Sequence, residues 1–289
     1  MTNERPVLTE RKPDERNRLN ERTRPARFRF VPVAAVAVAM MAVGLLATSG
    51  CSDSERSSGV TASDSTTSTT APGKRITAEQ ASRLADVLVA NHDAGGARVR
   101  ATIPYGRASF DLAGEIDWAK HIGRVTVTPT VDGTPETPFD IAFSPTLTFE
   151  EVPGLEQAMA ARGRPGIRWV ARALDPATSP LHLPLRLIDT AASTQRDNPV
   201  LLQSNGTTFA GTSRVGDVAT EIYDTGRVRV WMGVDDRRTQ RIEADLAATD
   251  STATIDFDEF GPRVIDVPSD DEIVAYSEVA DLYRELVGS

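Results

Sequence analysis

The chain has 289 residues, a formal charge of −9 and one cysteine, Cys51. One thiol excludes an internal disulfide, and an acidic balance excludes general electrostatic binding of nucleic acid, which needs clustered Lys and Arg. Residues 1–29 carry nine Arg or Lys against five Asp or Glu, a local excess of +4. Positive charge is retained on the cytoplasmic side of a bacterial membrane. Val31 to Gly50 then gives 20 residues without charge, ending in Thr48-Ser49-Gly50-Cys51. A run of about 20 apolar residues is long enough to span a bilayer, so an uncleaved single-span anchor is one reading. The small residues ahead of Cys51 favour the other, a cleaved export signal over residues 1–50.

The tail of this run resembles the lipobox of bacterial lipoproteins, with Ser49 and Gly50 at its small positions, Cys51 at the acylated one and Thr48 where Leu is usual. The resemblance implies a diacylglyceryl thioether on Cys51 and cleavage before it. Two acyl chains anchor stably. The mature chain would then lie on the extracytoplasmic face of the cell membrane, held by lipid, with a formal charge of −9 − 4 = −13. Residues 51–75 form a tether. From Ser52 to Gly73, 12 of 22 residues are Ser or Thr, too polar to offset the entropy of ordering them. A coil of that length reaches roughly 25–30 Å.

Residues 76–289 read as one domain. Thr77-Ala78-Glu79-Gln80 has capping-box form, and Ala81, Leu84, Val87 and Leu88 recur at helical spacing before Gly95-Gly96. Strand-like alternation follows through Val99, Ala101, Ile103 and Tyr105; through Phe110, Leu112, Ile116 and Trp118, interrupted at Gly114; through Val125, Val127 and Val131; and through Phe139, Ile141 and Phe143, resuming at Leu147 and Phe149. Short links such as Asp132-Gly133 predict antiparallel hairpins. A short helix is expected over 154–162, a strand over 167–174, and a second helix over 183–194 with Leu185, Ile188 and Ala192 on one side. Five more strands are expected over 207–213, 218–223, 228–234, 240–247 and 253–257. Ser269-Asp270-Asp271-Glu272 forms another capping box, predicting a last helix from Ile273 through Leu286. Ten or eleven strands and about four helices, in the order helix, sheet, helices, sheet, helix, predict an α+β fold with a large antiparallel sheet.

The chemistry-bearing residues form no recognisable catalytic arrangement. His92, His121 and His182 lack metal-type spacing. Gly211-Thr212-Ser213-Arg214-Val215-Gly216 is one residue too long for a nucleophile elbow. Asp256-Phe257-Asp258 opens like a calcium loop, but Val267 stands where a bidentate Glu is required; both carboxylates suit the wet face of a strand. No catalytic residue, metal site or cofactor is assigned, and a non-enzyme is expected.

Three passages carry a further resemblance: the helix from Ala78 through Gly96 into paired strands; Ile167 to Asn205 followed by Thr207-Thr208-Phe209-Ala210-Gly211-Thr212; and Val230-Trp231-Met232-Gly233-Val234-Asp235-Asp236, Arg241 to Leu246 and Ile255 to Gly261 before Pro268. Together they resemble the LolA-like fold and, within it, the actinobacterial LppX/LprG lipoproteins. The resemblance implies a curved half-barrel sheet wrapped around helices, enclosing an apolar cavity that binds or carries a lipid or lipoglycan. On that reading Val99, Ile103, Phe139, Ile141, Phe143, Trp169, Val228, Val230 and Met232 are the lipid-cavity candidates. An alternative keeps the same fold with the cavity filled, as an envelope interaction module. The expected partners are the lipid ligand and the membrane, through the N-terminal anchor, with no nucleic acid.

Overall fold

The computed structural model describes residues 73–246 and 249–287. The expected signal, Cys51 and the tether up to Pro72 lie outside the described residues.

Thr77 opens the first helix as expected: its side chain accepts from the Gln80 N–H while the Gln80 side chain accepts from the Thr77 N–H. The expected single helix is broken in two, α1 (Ala78–Ala85) and α2 (Val87–Ala94). The break falls at Asp86, whose N–H turns back to the Arg83 carbonyl and whose carboxylate is held by Arg196 and Arg237. Gly95, at φ +86°, ends α2 in a left-handed conformation that glycine adopts without strain.

Two antiparallel meanders make the sheet. After the two-residue β1 (Lys74–Arg75), the first comprises β2 (Gly96–Tyr105), β3 (Ala108–Asp117), β4 (Ile122–Val131), the two-residue β5 (Thr134–Pro135), β6 (Phe139–Phe143), β7 (Leu147–Glu151) and, after α3 (Leu155–Ala161), β8 (Trp169–Ala173). Helices α4 (His182–Thr190) and α5 (Pro199–Ser204) follow. The second meander runs through β9 (Thr208–Val215), β10 (Val218–Asp224), β11 (Val228–Gly233), β12 (Thr239–Leu246) and β13 (Ser251–Asp258). β13 returns antiparallel beside β2, which fuses the meanders into one open sheet; β1 borders β9 at one edge.

The other edge departs from expectation. Ser269 donates from its N–H and hydroxyl to Glu272 at 3.0 and 2.7 Å, yet no helix starts there. The Glu272 carbonyl accepts from the N–H groups of Arg168 and Trp169, and β14 (Ile273–Ala275) pairs in parallel with β8. The last helix, α6, spans only Tyr276–Val287 and kinks at Val279. Among the described residues fourteen strands replace the expected ten or eleven, because β1, β5 and β14 are only two or three residues long. The fold is α+β, a large curved sheet with its helices on one face.

Strand alternation fixes that face. Val230, Ile242, Ile255, Ala101, Leu112, Val127 and Phe139 are register neighbours across seven strands, and beside them lie the paired Val228, Ala244 and Ala253 and the pair Ile103 and Phe110. Gly123 lies under the Phe143 ring, where an added Cβ would sit 2.1 Å from a ring carbon. Gly114, which interrupts the alternation, lets β3 approach β4 so closely that a Cβ would fall 2.0 Å from the Arg124 carbonyl. The opposite face carries ion pairs between strands, Arg124–Asp140, Arg241–Asp256, Arg229–Glu243 and Arg100–Asp258. Asp256 and Asp258 thus lie on the wet face. Among the described residues no helix is long and apolar enough to cross a membrane.

Candidate functional site

The space in front of the sheet is occupied by α4 and its flanks. Leu181, Leu185, Leu187, Ile188, Ala191 and Ala192 join one apolar cluster with the middle strands, and Leu185 and Ile188 are fully buried. The expected side, Leu185, Ile188 and Ala192, is the one that packs. Burying each Leu or Ile contributes about 1.5–3 kcal/mol.

The nine cavity candidates divide. Val99, Ile103, Ile141 and Phe143 lie in the central cluster at 0–1 % exposure, beyond the reach of a water molecule from any side. Phe139 and Val228 are partly exposed at its border. Val230 is half-buried on the same face, opposite Ile242. Met232 is buried in a second cluster with Tyr223 and α1. Trp169 belongs to the other face: it clusters with Ala142, Phe149 and Ala171, and the guanidinium groups of Arg124 and Arg168 stand 5.4 and 5.8 Å from its ring centre. Its parity with Ile167 is uninformative because β6 to β8 bury side chains on both faces. Trp231 also faces away from the helices, with Arg229 over it, whereas Trp118 is central.

Among the described residues, the polar contacts that hold α4 lie toward its ends. Trp118 Nε1 donates to the Ile188 carbonyl at 3.0 Å, and Asn91 Nδ2 donates to the Ala191 carbonyl at 2.6 Å. His121 Nδ1 lies 3.0 Å from Asp189 Oδ1; this hydrogen bond, opposed by burial, raises the His121 pKa. At the other end His182, fully buried, places Nδ1 2.9 Å from the Asp175 carbonyl.

Two buried carboxylates, not anticipated from the sequence, flank this apolar middle. Glu150 on β7 accepts from the Tyr283 hydroxyl of α6 at 2.5 Å and from Arg172 Nη1 at 3.4 Å, with His182 Nε2 3.7 Å away. Burial raises the Glu150 pKa, but the facing His182 and Tyr283 and the Arg172 charge outweigh it and hold it below the ordinary value. Burial and the Glu150 charge push Tyr283 well up. At the opposite end, Glu221 on β10 accepts from Arg83 of α1 at 2.8 Å and from the Tyr223 hydroxyl at 2.6 Å. Burial and Glu221 likewise push Tyr223 up. Each carboxylate accepts through both of its oxygens. A sequence signal existed: Thr148 and Glu150 share one parity of β7, and Glu221 and Tyr223 share one parity of β10.

Among the described residues no three His, Cys, Asp or Glu side chains converge on a metal position. Two surface hollows of about 310 Å³ each are present. One is bordered by Phe139, Val152, Pro153, Glu156 and Arg168. The other lies on the ion-paired face around Ala113, between Arg100, Asp111, Thr254 and Asp256. Of the cavity candidates, Phe139 borders the first and none borders the second.

No protein-family model and no curated protein matches this chain. Among solved structures it is similar to an uncharacterised conserved protein from Thermus thermophilus (12 % identity, 64 % of this chain and 96 % of that one, TM-score 0.33). It is similar to a chain of the Pseudomonas aeruginosa MucA/MucB complex (12 %, 62 % and 54 %, 0.28), of which it spans about half the length. A DUF1329 family protein from Desulfovibrio piger is a third (8 %, 66 % and 95 %, 0.20). All three TM-scores lie below 0.5, and the architecture rests on the strand order and register given above.

Proposed function

We propose that this protein is a non-enzymatic binding module of the cell envelope, held on the extracytoplasmic face of the membrane by lipid on Cys51, whose concave face is closed by its own helix. The observation that carries this reading is the seating of α4. Val99, Ile103, Ile141 and Phe143, placed where a carried acyl chain would lie, are covered by Leu185, Ile188 and their neighbours. A filled interior leaves the outer surfaces to do the binding, and the Ser/Thr-rich tether gives those surfaces reach.

A second reading, lipid carriage of the LppX/LprG kind, is favoured by one feature. The surface beneath α4 is apolar apart from the Trp118 N–H, so an acyl chain of similar volume can cover most of it once α4 withdraws. Hydrophobic burial is non-directional and sets no preference between the two occupants.

Native mass spectrometry of the chain from Cys51 to Ser289, purified from a bacterial host, separates them. The first reading expects the mass of the bare polypeptide and no uptake of a fluorescent fatty acid. Stoichiometric co-purified lipid would replace it with the second.

A further inference from the structure

Three asparagines lie among the described residues, and their surroundings differ. Asn91 is fully buried in α2: its Nδ2 donates to the Ala191 carbonyl and Thr239 Oγ1, and its Oδ1 accepts from the Thr239 N–H. Asn198 precedes Pro199, whose ring nitrogen carries no proton. Asn205 precedes Gly206 in the exposed turn between α5 and β9. A following glycine matters chemically, because no side chain shields its peptide nitrogen from the asparagine Cγ. Gly206 sits at φ +82°, and nothing lies within 4 Å of where a Cβ would stand. Among the described residues its N–H donates to no backbone carbonyl. Asp132–Gly133 has the same flank, but Arg107 holds both oxygens of the Asp132 carboxylate. An ionised carboxylate is also a far poorer electrophile than an amide.

We propose that Asn205–Gly206 is a site of spontaneous covalent modification that acts on the β1–β9 edge. The Gly206 nitrogen bonds to Asn205 Cγ and closes a succinimide ring. The Cγ–Nδ2 bond breaks, and Nδ2 leaves as ammonia with the proton that the Gly206 nitrogen gave up. Water then opens the ring. Addition at Cγ leaves an aspartyl residue, and addition at the main-chain carbonyl carbon leaves an isoaspartyl one. Both products add a negative charge at the C-terminal end of α5, where unpaired carbonyls already concentrate negative potential. Asn205 is the C-cap there, its N–H donating to the Leu201 carbonyl at 2.9 Å. The isoaspartyl form also lengthens the main chain by one methylene just ahead of Thr207. Thr207 is 1 % exposed, and its carbonyl accepts from the Ile76 N–H at 3.5 Å. Thr208 and Phe209 then pair with Arg75 and Lys74. A displaced Thr207 therefore loosens β1. The proposal depends on neither functional reading above.

The test ages the chain from Cys51 to Ser289 at pH 7.4 and 37 °C. Peptide mapping by mass spectrometry should find the amide-to-acid change at Asn205 many-fold ahead of Asn91 and Asn198. Labelling by an isoaspartyl methyltransferase should mark the same peptide and leave Asp132–Gly133 unmarked. Ageing at pH 5 should slow the reaction several-fold, since ring closure needs the deprotonated nitrogen. In the aged chain the Lys74, Arg75 and Ile76 amides should exchange hydrogen several-fold faster, with α4 unchanged. N205Q, whose longer side chain closes a ring far more slowly, should stay intact and keep the parent exchange. N205D adds the charge without the extra methylene and should leave β1 near the parent. An intact Asn205 after ageing would overturn the site. Conversion with unchanged exchange in β1, or the same rise in aged N205Q, would overturn its action on the β1–β9 edge.

Discussion

The middle of the sheet and its two ends hold their helices by different chemistry. In the middle, α4 sits on side chains that are aliphatic or aromatic, Trp118 supplying the one polar atom among them, and its hydrogen bonds lie toward its tips. At the ends, α1 and α6 are each fixed by a buried Glu–Arg–Tyr group. An apolar seat accepts any occupant of the right volume. A buried charge accepts only its partners, because removing one leaves the other desolvated and unpaired. The terminal helices are thus specified by buried charge along their length, whereas α4 is specified by polar partners at its tips and by volume between them.

The comparison is broken most severely at the better-buried end. Glu150→Gln leaves the Arg172 charge without its counter-ion and should cost about 3–5 kcal/mol in urea unfolding. Glu221→Gln should cost less, about 2 kcal/mol, because the Arg83 side chain is 31 % exposed against 20 % for Arg172 and water can solvate it. Equal losses would mean that the two ends are alike. In the middle, Ile188→Ala should cost about 2–4 kcal/mol through lost burial and the void it leaves. Its partner test is binding: the variant should take up a small apolar probe that the parent excludes, and exclusion by both would argue that the seat has collapsed.

The smallest effect is the pH dependence of the α4 tip. The folded His121 pKa is raised above 6.5 by Asp189, opposed by burial, with Asp117 adding to the rise. The Lys120 cation, 3.0 Å from Asp117, is the remaining charged group there. A raised histidine stabilises fully below its unfolded pKa and loses that contribution as pH climbs through the folded one. Because the side chain is 41 % exposed, screening keeps the contribution under about 1 kcal/mol. Stability of the parent relative to His121→Gln should therefore decline from pH 5.5 to 8, and a constant difference would remove the ion pair from the account.

Most of the strands and the packing side of α4 were legible because period-two and helical spacing are local signals. What escaped depends on distant partners. The break at Asp86 is held by Arg196 and Arg237, more than 100 residues away. Glu272 reaches back to the Ser269 N–H as in a capping box, but the Ser269 hydroxyl donates to that carboxylate instead of accepting from the Glu272 N–H, and β8 recruits the next three residues as a strand. Helix α5 carries Asn198 and Pro199 as start signals, yet six residues give no periodicity to read. Trp169 was misplaced because alternation assigns a face only where one face is wet, and β6 to β8 are buried on both. Glu150 and Glu221 are charged residues within strands, and their burial depends on α6 and α1, which are distant in sequence.

A crystal structure of the chain from Cys51 onward, grown from protein purified without delipidation, tests the central claim most directly. The account predicts Leu185 and Ile188 in contact with the middle strands and no other density there. Elongated density against Ile103, Ile141 and Phe143, with α4 moved aside, would contradict it.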